Sequence, residues 1–491
     1  MRDDGPNDAD PAPEYRPDPR HQQLGELFFD GVEPARFPAH VLRHRNDRAA
    51  REVGLASLDD AQWIDHFGRF EPLPDNLPRP LALRYHGHQF RAYNPDLGDG
   101  RGFLFAQLRD HEGRLLDLGT KGSGTTPWSR SGDGRLTLKG GVRELLATEM
   151  LEALRVDTSR TFSLIETGEA LMRGDEPSPT RSAVLTRLSH SHVRIGTFQR
   201  LAFHGEGGAI GRLVEYCGEH YALGGGDPVR FLEAVIRRVA ATGARWWAAG
   251  FVHGVLNTDN INVTGESFDY GPWRFLEAHD PAKVAAYFDQ TGLYAFARQP
   301  EALSWNLARL AECLLVLDEG IRDKLVDALE RFPSIFEREL TARTFERLGL
   351  KAGGEPAAEA EVVRLFYGAM RTVRHPHEQA FHDLVGGAVP GRIAASPNAE
   401  AYASDPWREA LAAIRRMEPV DASGALALPG GEPGPAEAMP YDEVEAVWAR
   451  IAQDDDWSPL TSKLGSIAAK GRREATLARQ AERRTQSAPS L

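Results

Sequence analysis

Cysteine is almost missing from this chain: among 491 residues only Cys217 and Cys313 carry thiols. Two thiols so far apart make neither a metal spacing nor a disulfide framework, and they fit a reducing cytoplasm. Long apolar runs are missing as well, so no segment reaches the length a membrane helix needs. The start, Met1-Arg2-Asp3-Asp4-Gly5-Pro6, continues acidic and proline-rich to about Arg20. It lacks the apolar stretch of a secretory signal. An excess of positive charge is missing too. A net charge of −13 argues against wrapping nucleic acid, which needs a basic face. Solubility is the simpler reading of that charge.

What is present is an ordinary globular balance, 41% hydrophobic and 26% charged, able to bury a large core. Residues 1–23 read as a flexible tail poor in aliphatics. The stretch 98–141 is dense in glycine. In it, the apolar runs 103–108 and 115–118 flank Asp110-His111-Glu112-Gly113, a hairpin turn signal. From Val142 the period changes, and Leu145, Leu146, Met150, Leu151 and Leu154 mark one face of a helix. Another strand-like run covers 183–188, and after residue 196 the pattern is mainly helical. The clearest helices are expected at 231–249 and 302–329, with the irregular stretch 251–275 between them.

The fold class expected is therefore α+β and two-lobed, like a protein kinase. A strand-rich N-lobe would span 24–196 and a helical C-lobe 197–461. The last segment, 462–491, reads as a basic exposed helix or frayed tail. The segments 353–360 and 422–438, rich in Gly, Pro, Ala and Glu, read as surface loops or linkers.

The chemistry centres on His253-Gly254-Val255-Leu256-Asn257-Thr258-Asp259-Asn260, followed by a short β-like run. This resembles a kinase catalytic loop, in which an asparagine holds a metal carried by the ATP phosphates. Nine residues past Asn260, Asp269-Tyr270-Gly271 resembles the Asp-Phe-Gly element whose aspartate holds the same metal. Mg²⁺ takes hard oxygen ligands, one or two of them from protein, and Asn260 and Asp269 are of that type. Upstream, Gly98-Asp99-Gly100-Arg101-Gly102 can bring backbone N–H groups to phosphates. Lys121 closes the second strand of the hairpin, where a kinase lysine would contact phosphate oxygens. Glu144 is a candidate partner for it, and Glu149 is a rival on the same helix.

One feature breaks the kinase pattern. Val255 stands where a kinase loop has its aspartate base, and valine does no acid–base work. Asp259 is the carboxylate left in the loop for that role.

These motifs together identify the chain as resembling the selenoprotein O (YdiU) family of protein adenylyltransferases. The match is carried by Gly87-His88-Gln89-Phe90, Leu97–Arg101, Lys121–Arg130, Gly132-Asp133-Gly134-Arg135, Arg143-Glu144, His253–Asn260 and Asp269–Pro272, over roughly 80–310. The resemblance implies ATP bound end for end relative to kinases, and AMP passed to Ser, Thr or Tyr of a protein with release of pyrophosphate. It makes Asp259 the proton acceptor, with Asn260 and Asp269 as ligands of Mg²⁺ or Mn²⁺. Gly98, Gly100, Arg101, Lys121, Asp133, Gly134 and Asp269 would bind the nucleotide, and Arg187 and Arg194 would hold its distal phosphates. Glu144 would pair with Lys121.

Three departures stand out: Arg91 follows Gly87-His88-Gln89-Phe90 where a small residue is usual, the C-terminal third matches poorly, and the chain ends without tail cysteines. The rival functions are a true phosphotransferase and a nucleotide-binding pseudokinase. Three other features read as structural. His190 and His192 alternate like metal ligands but have no partner at a matching spacing. Trp246-Trp247 reads as core packing, and the basic tail as a solvated helix.

Overall fold

The computed structural model describes residues 14–174, 176–420 and 434–486, with side chains to 479. Ten strands in the first part are β1 Phe29–Gly31, β2 Val41–Arg45, β3 Leu81–Leu83, β4 Gly87–Gln89, β5 Ala92–Asn94, β6 Leu104–Arg109, β7 Leu115–Lys121, β8 Leu136–Thr137, β9 Arg160–Leu171 and β10 Thr180–Ser189. The main sheet runs β1-β3-β6-β7-β10-β9-β2, with β8 on β10, and β4 and β5 form a separate hairpin. All its pairings are antiparallel. Past it the chain is mostly helical, so the α+β class expected from sequence is observed.

Local chemistry explains the elements that matter for the site. The β6–β7 turn closes on Asp110, whose carboxylate accepts from the N–H groups of Glu112 and Arg114, while Gly113 takes φ +81°. The helix Leu138–Ala153 starts on Thr137, whose hydroxyl accepts from the Gly140 N–H, and its apolar face packs on the sheet through Leu145, Leu146 and Leu164. The helix Pro228–Ala248 opens with an Asp227 cap and proline in its first turn. Among the described residues no helix is long and apolar enough to cross a membrane.

Several sequence expectations are corrected. Residues 14–20, expected in the flexible tail, run beside β6: the Asp18 N–H donates to Gln107 O, the Arg109 N–H to Arg16 O, and Arg109 pairs with Asp18 at 2.7 Å. Residues 1–13 lie outside the described residues. The helix expected over 302–329 is two helices, Gln299–Leu314 and Arg322–Glu330, because Asp318 caps the Gly320 N–H and turns the chain. Of the two expected linkers, 353–360 is helical from Pro356, and most of 422–438 lies outside the described residues.

The basic tail is the largest correction. The boundary expected at 462 falls inside the helix Ser458–Gln486, and that helix is not simply solvated. Lys470 is buried and its Nζ lies 2.6 Å from Glu378 Oε2. Arg347 reaches the same oxygen at 2.9 Å and Glu474 at 3.4 Å. Removing one member of a buried ion cluster leaves the others uncompensated, which costs about 3–5 kcal/mol. Glu378→Ala should therefore lower the urea midpoint sharply, whereas Arg472→Ala, at an exposed position of the same helix, should leave it unchanged. Equal midpoints for both variants would show that the cluster carries no stability.

Candidate functional site

Strand register builds one side of the site. In the β7–β10 pair, Arg187 lies opposite Gly119 and Leu185 opposite Lys121. Side chains two apart on a strand share a face, so Asp117, Gly119 and Lys121 line up beside Arg187 and Ser189. Lys121 closes β7 and forms an ion pair with Glu144 of the Leu138–Ala153 helix. Of the two candidates, it is Glu144 rather than the rival Glu149 that meets Lys121.

The loop 253–260 builds the opposite side. His253 is buried, its N–H held by Gln299 Oε1 at 3.0 Å and its Nε2 by Phe268 O at 2.9 Å. The β4–β5 hairpin clamps the loop: the His88 N–H donates to Thr258 Oγ1 at 2.7 Å, and the Phe90 N–H to Asn257 Oδ1 at 3.0 Å. Thr258 passes its hydroxyl hydrogen to Gln199 Oε1 at 2.5 Å. A Cβ on Gly87 would sit 2.7 Å from Asp259 Oδ1, so that hairpin needs glycine there. The sequence marked Gly87-His88-Gln89-Phe90 as a motif but gave no sign of this bracing role, and Gln199 carried no signal at all.

Asp259 is buried, and its Oδ1 has no partner among the described residues. Burial lifts its carboxyl from 3.8 to about 6 against the opposing pull of Arg194. Asp269 differs. Its backbone stands at φ +60°, a left-handed position uncommon for a non-glycine residue and often found at functional sites. Arg187 donates to Oδ1 at 2.5 Å, Arg194 to Oδ2 at 2.9 Å, and Lys121 Nζ lies 3.6 Å from Oδ1. Burial alone would raise this carboxyl, but these three cations pull it well below the usual range. Arg194 also bonds Asp259 O at 2.9 Å and Asp99 Oδ1 at 3.3 Å.

A cavity of about 720 Å³ gathers these groups. Gly98, Gly100, Arg101, Lys121, Asp133, Gly134, Arg187, Arg194, Asp259, Asn260 and Asp269 all line it, and Glu144 stands behind Lys121. Counting Arg130, Arg135, Arg173 and Asp99, the lining holds seven cationic side chains against four carboxylates, in a chain of net charge −13. Arg101 and Arg130 have no side-chain hydrogen bond or close ion pair among the described residues, though the Asp269 charge acts on Arg101, and both line the cavity.

Two lining groups are engaged otherwise than expected. Gly98 and Gly100 lie against Trp128: a Cβ on Gly98 would meet its ring at 2.4 Å, so close approach to the chain itself already demands glycine. Asp133 is paired with Arg173 at 2.8 Å, a residue the sequence did not mark.

The donor set suits a hard divalent cation. Asn260 donates its amide to Val255 O at 3.0 Å, so its own oxygen is the free acceptor facing no partner among the described residues. No cluster of three or more His, Cys, Asp or Glu ligands occurs among the described residues. Two oxygen-bearing residues fit a cation that brings most of its shell with it as phosphate and water. His190 and His192 add no ligand here. The His190 N–H bonds Glu266, and His192 bonds Asp117.

Comparison with known proteins gives the family. A family model described as protein adenylyltransferase SelO matches residues 13–468. A protein nucleotidyltransferase YdiU of Gloeobacter violaceus is 42% identical over 466 residues, covering 92% of this chain and 94% of that one. One from Synechocystis is 40% identical, covering 91% and 98%, and one from Bradyrhizobium is 35% identical, covering 91% and 92%. The match extends well beyond the motif span 80–310, so the C-terminal third belongs to the same frame despite its divergent reading from sequence.

The raised Asp259 carboxyl has a measurable consequence. A buried acid whose folded pKa exceeds its unfolded value stabilises the fold below the unfolded value, and that contribution is lost as pH rises to the folded one. The window here runs from 3.8 to about 6. In buffer without divalent metal, the stability of Asp259→Asn relative to wild type should therefore rise across that window and then level off. A flat difference in urea titrations between about pH 4 and pH 8 would contradict the buried position of Asp259.

Proposed function

This chain belongs to the SelO family of protein adenylyltransferases, and on that premise we propose that it transfers AMP from ATP to Ser, Thr or Tyr hydroxyls of proteins and releases pyrophosphate. The observation that carries the reading is the cavity itself: a cation-rich lining beside a buried carboxylate one of whose oxygens, Asp259 Oδ1, has no partner among the described residues. A polyphosphate fits the cations, and the carboxylate fits a base.

In this reading the strand-rich part and the helical part act as two lobes of a kinase-like fold, with the nucleotide between them. Support comes from the Lys121–Glu144 pair and the order of Asn260 and Asp269 along the chain. Asn260 and Asp269 hold a divalent cation, Mg²⁺ or Mn²⁺, which when bound neutralises phosphate charge. Asp259 takes the proton of the acceptor hydroxyl. A base with its pKa near 6 is ionised at neutral pH and still basic enough to serve. The hydroxyl oxygen bonds to the α-phosphorus, and the bond from that phosphorus to the bridging oxygen breaks. Pyrophosphate leaves with the bonding electron pair, and Arg187 and Arg194 stabilise the charge it gains. Val255 at the usual kinase base position favours this over γ-phosphate transfer. The two cysteines are both buried and unpaired, which suits the reducing cytoplasm.

The decisive measurement uses ATP labelled separately at the α- and γ-phosphates. The α-label should enter protein and the γ-label should not. Asp259→Ala should abolish incorporation while ATP binding persists. Entry of γ-label alone would replace adenylyl transfer with kinase activity. A second measurement tests the arginine pair. Arg187→Lys keeps charge but loses the fork, so ATP affinity should fall about tenfold with AMP affinity little changed. Equal losses for ATP and AMP would refute contact with the distal phosphates.

A further inference from the structure

The pair His190 and His192, which the sequence could not connect to any metal, contains a residue with unusual surroundings. His192 is buried, and its imidazole bridges two charged groups. On one side its Nδ1 and its backbone N–H both reach Asp117 Oδ2, at 3.1 and 2.9 Å. On the other, its Nε2 accepts from Arg187 Nε at 3.3 Å. An Nε2 that accepts must carry its hydrogen on Nδ1, which is the nitrogen facing the Asp117 carboxylate. The two bonds therefore select the same tautomer.

The arrangement is braced from behind. Asp117 Oδ1 accepts from Gln107 Nε2 at 2.7 Å, and Gln107 Oε1 accepts from the His21 N–H at 2.6 Å. Space is reserved for the ring. A Cβ on Gly119, opposite Arg187 in the sheet, would lie 2.2 Å from His192 Nε2. Only glycine at that strand position lets the imidazole reach the guanidinium.

The geometry points to His192 as a positioning residue for Arg187: it engages Nε and so turns the terminal nitrogens of the fork toward Asp269 and the cavity. Arg187 NH1 is the nitrogen that meets Asp269. A guanidinium binds phosphate oxygens well only when its plane is held, because bidentate contact requires both directions at once. Without an acceptor at Nε, the side chain keeps its charge and loses its plane. The inference rests on the distal-phosphate role given above to Arg187.

The test compares His192→Phe, which keeps an aromatic ring and removes the acceptor, with His192→Gln, which can place an oxygen near the Nε2 position. Calorimetric titration with Mg²⁺-ATP and with AMP is made on both, on Arg187→Ala and on His192→Phe/Arg187→Ala. His192→Phe should weaken ATP binding by roughly tenfold or more and leave AMP binding nearly intact. His192→Gln should retain most of the ATP affinity, and the double variant should bind ATP no worse than Arg187→Ala alone. Gly119→Ala, which pushes a methyl into the ring position, supplies an independent route and should reproduce the ATP-specific loss if His192→Phe does not fold. Wild-type ATP affinity in His192→Phe, equal losses in Phe and Gln, or additive losses in the double variant would each overturn the assignment. Binding does not depend on which phosphate moves. A wild type that transfers no α-label would sink the proposed reaction while these titrations still judge His192.

Discussion

Asp269 is a single carboxylate on which Arg187, Arg194 and Lys121 converge, and most of the site depends on that convergence. Each cation comes from a different place: Lys121 from β7, Arg187 from β10, and Arg194 from the residue that caps the Ile195–Phe203 helix. Bringing like charges together in a partly buried space is unfavourable unless an anion lies among them. Asp269 is that anion, and its left-handed backbone is the conformational cost of aiming the carboxylate there. The loop 253–271 is thereby tied to the sheet by charge as well as by packing.

The same convergence would favour a polyphosphate, as the proposed function requires. The cations are already assembled and desolvated, so little reorganisation is needed when phosphate oxygens arrive. Glu144 keeps Lys121 oriented from the other side, and the helix that carries it is packed by the C-terminal elements. Lys139 of that helix reaches Glu445 at 2.7 Å, and Arg143 lies over the Trp273 ring at 4.9 Å. The basic helix Ser458–Gln486 is part of this support, anchored by Lys470 in its buried cluster. A segment that composition alone describes as a solvated tail thus belongs to the framework behind the site.

The legible parts of the sequence are those where local chemistry acts alone. The period of Leu145, Leu146, Met150 and Leu151 announces a helix, and Asp110 with Gly113 announces a turn, because each signal lies within a few residues. Glu144 and Glu149 could not be separated from sequence. They stand five residues apart, which turns them roughly 140° from each other around a helix, so the sheet decides which one faces Lys121. Strands of three residues such as β1 and β3 gave no usable period. Arg187 and Arg194 looked like surface charges without the family resemblance, since convergence on one carboxylate is a long-range fact. Arg173 and Gln199 remained invisible for the same reason: their partners, Asp133 and Thr258, lie on distant segments.

In the proposed reaction the base stands at Asp259 rather than at the Val255 position, which changes what the loop must do. That proposed base shares a short 3₁₀ turn, Thr258–Asn260, with the proposed metal ligand Asn260, so a shift of the turn displaces both. The β4–β5 hairpin answers that constraint. It grips Asn257 and Thr258, the two residues immediately before Asp259, with backbone N–H groups, and the Tyr294 hydroxyl adds a second bond to Asn257 Oδ1 at 2.9 Å. Backbone donors of a hairpin move less than side chains, and Gly87 lets the hairpin pass within contact of the Asp259 carboxylate. Asp259 is buried at the wall of the cavity, and that burial is what lifts its pKa toward the range a base would need in the proposed reaction. The hairpin therefore holds Asp259 in place through the turn before it, while burial sets its basicity.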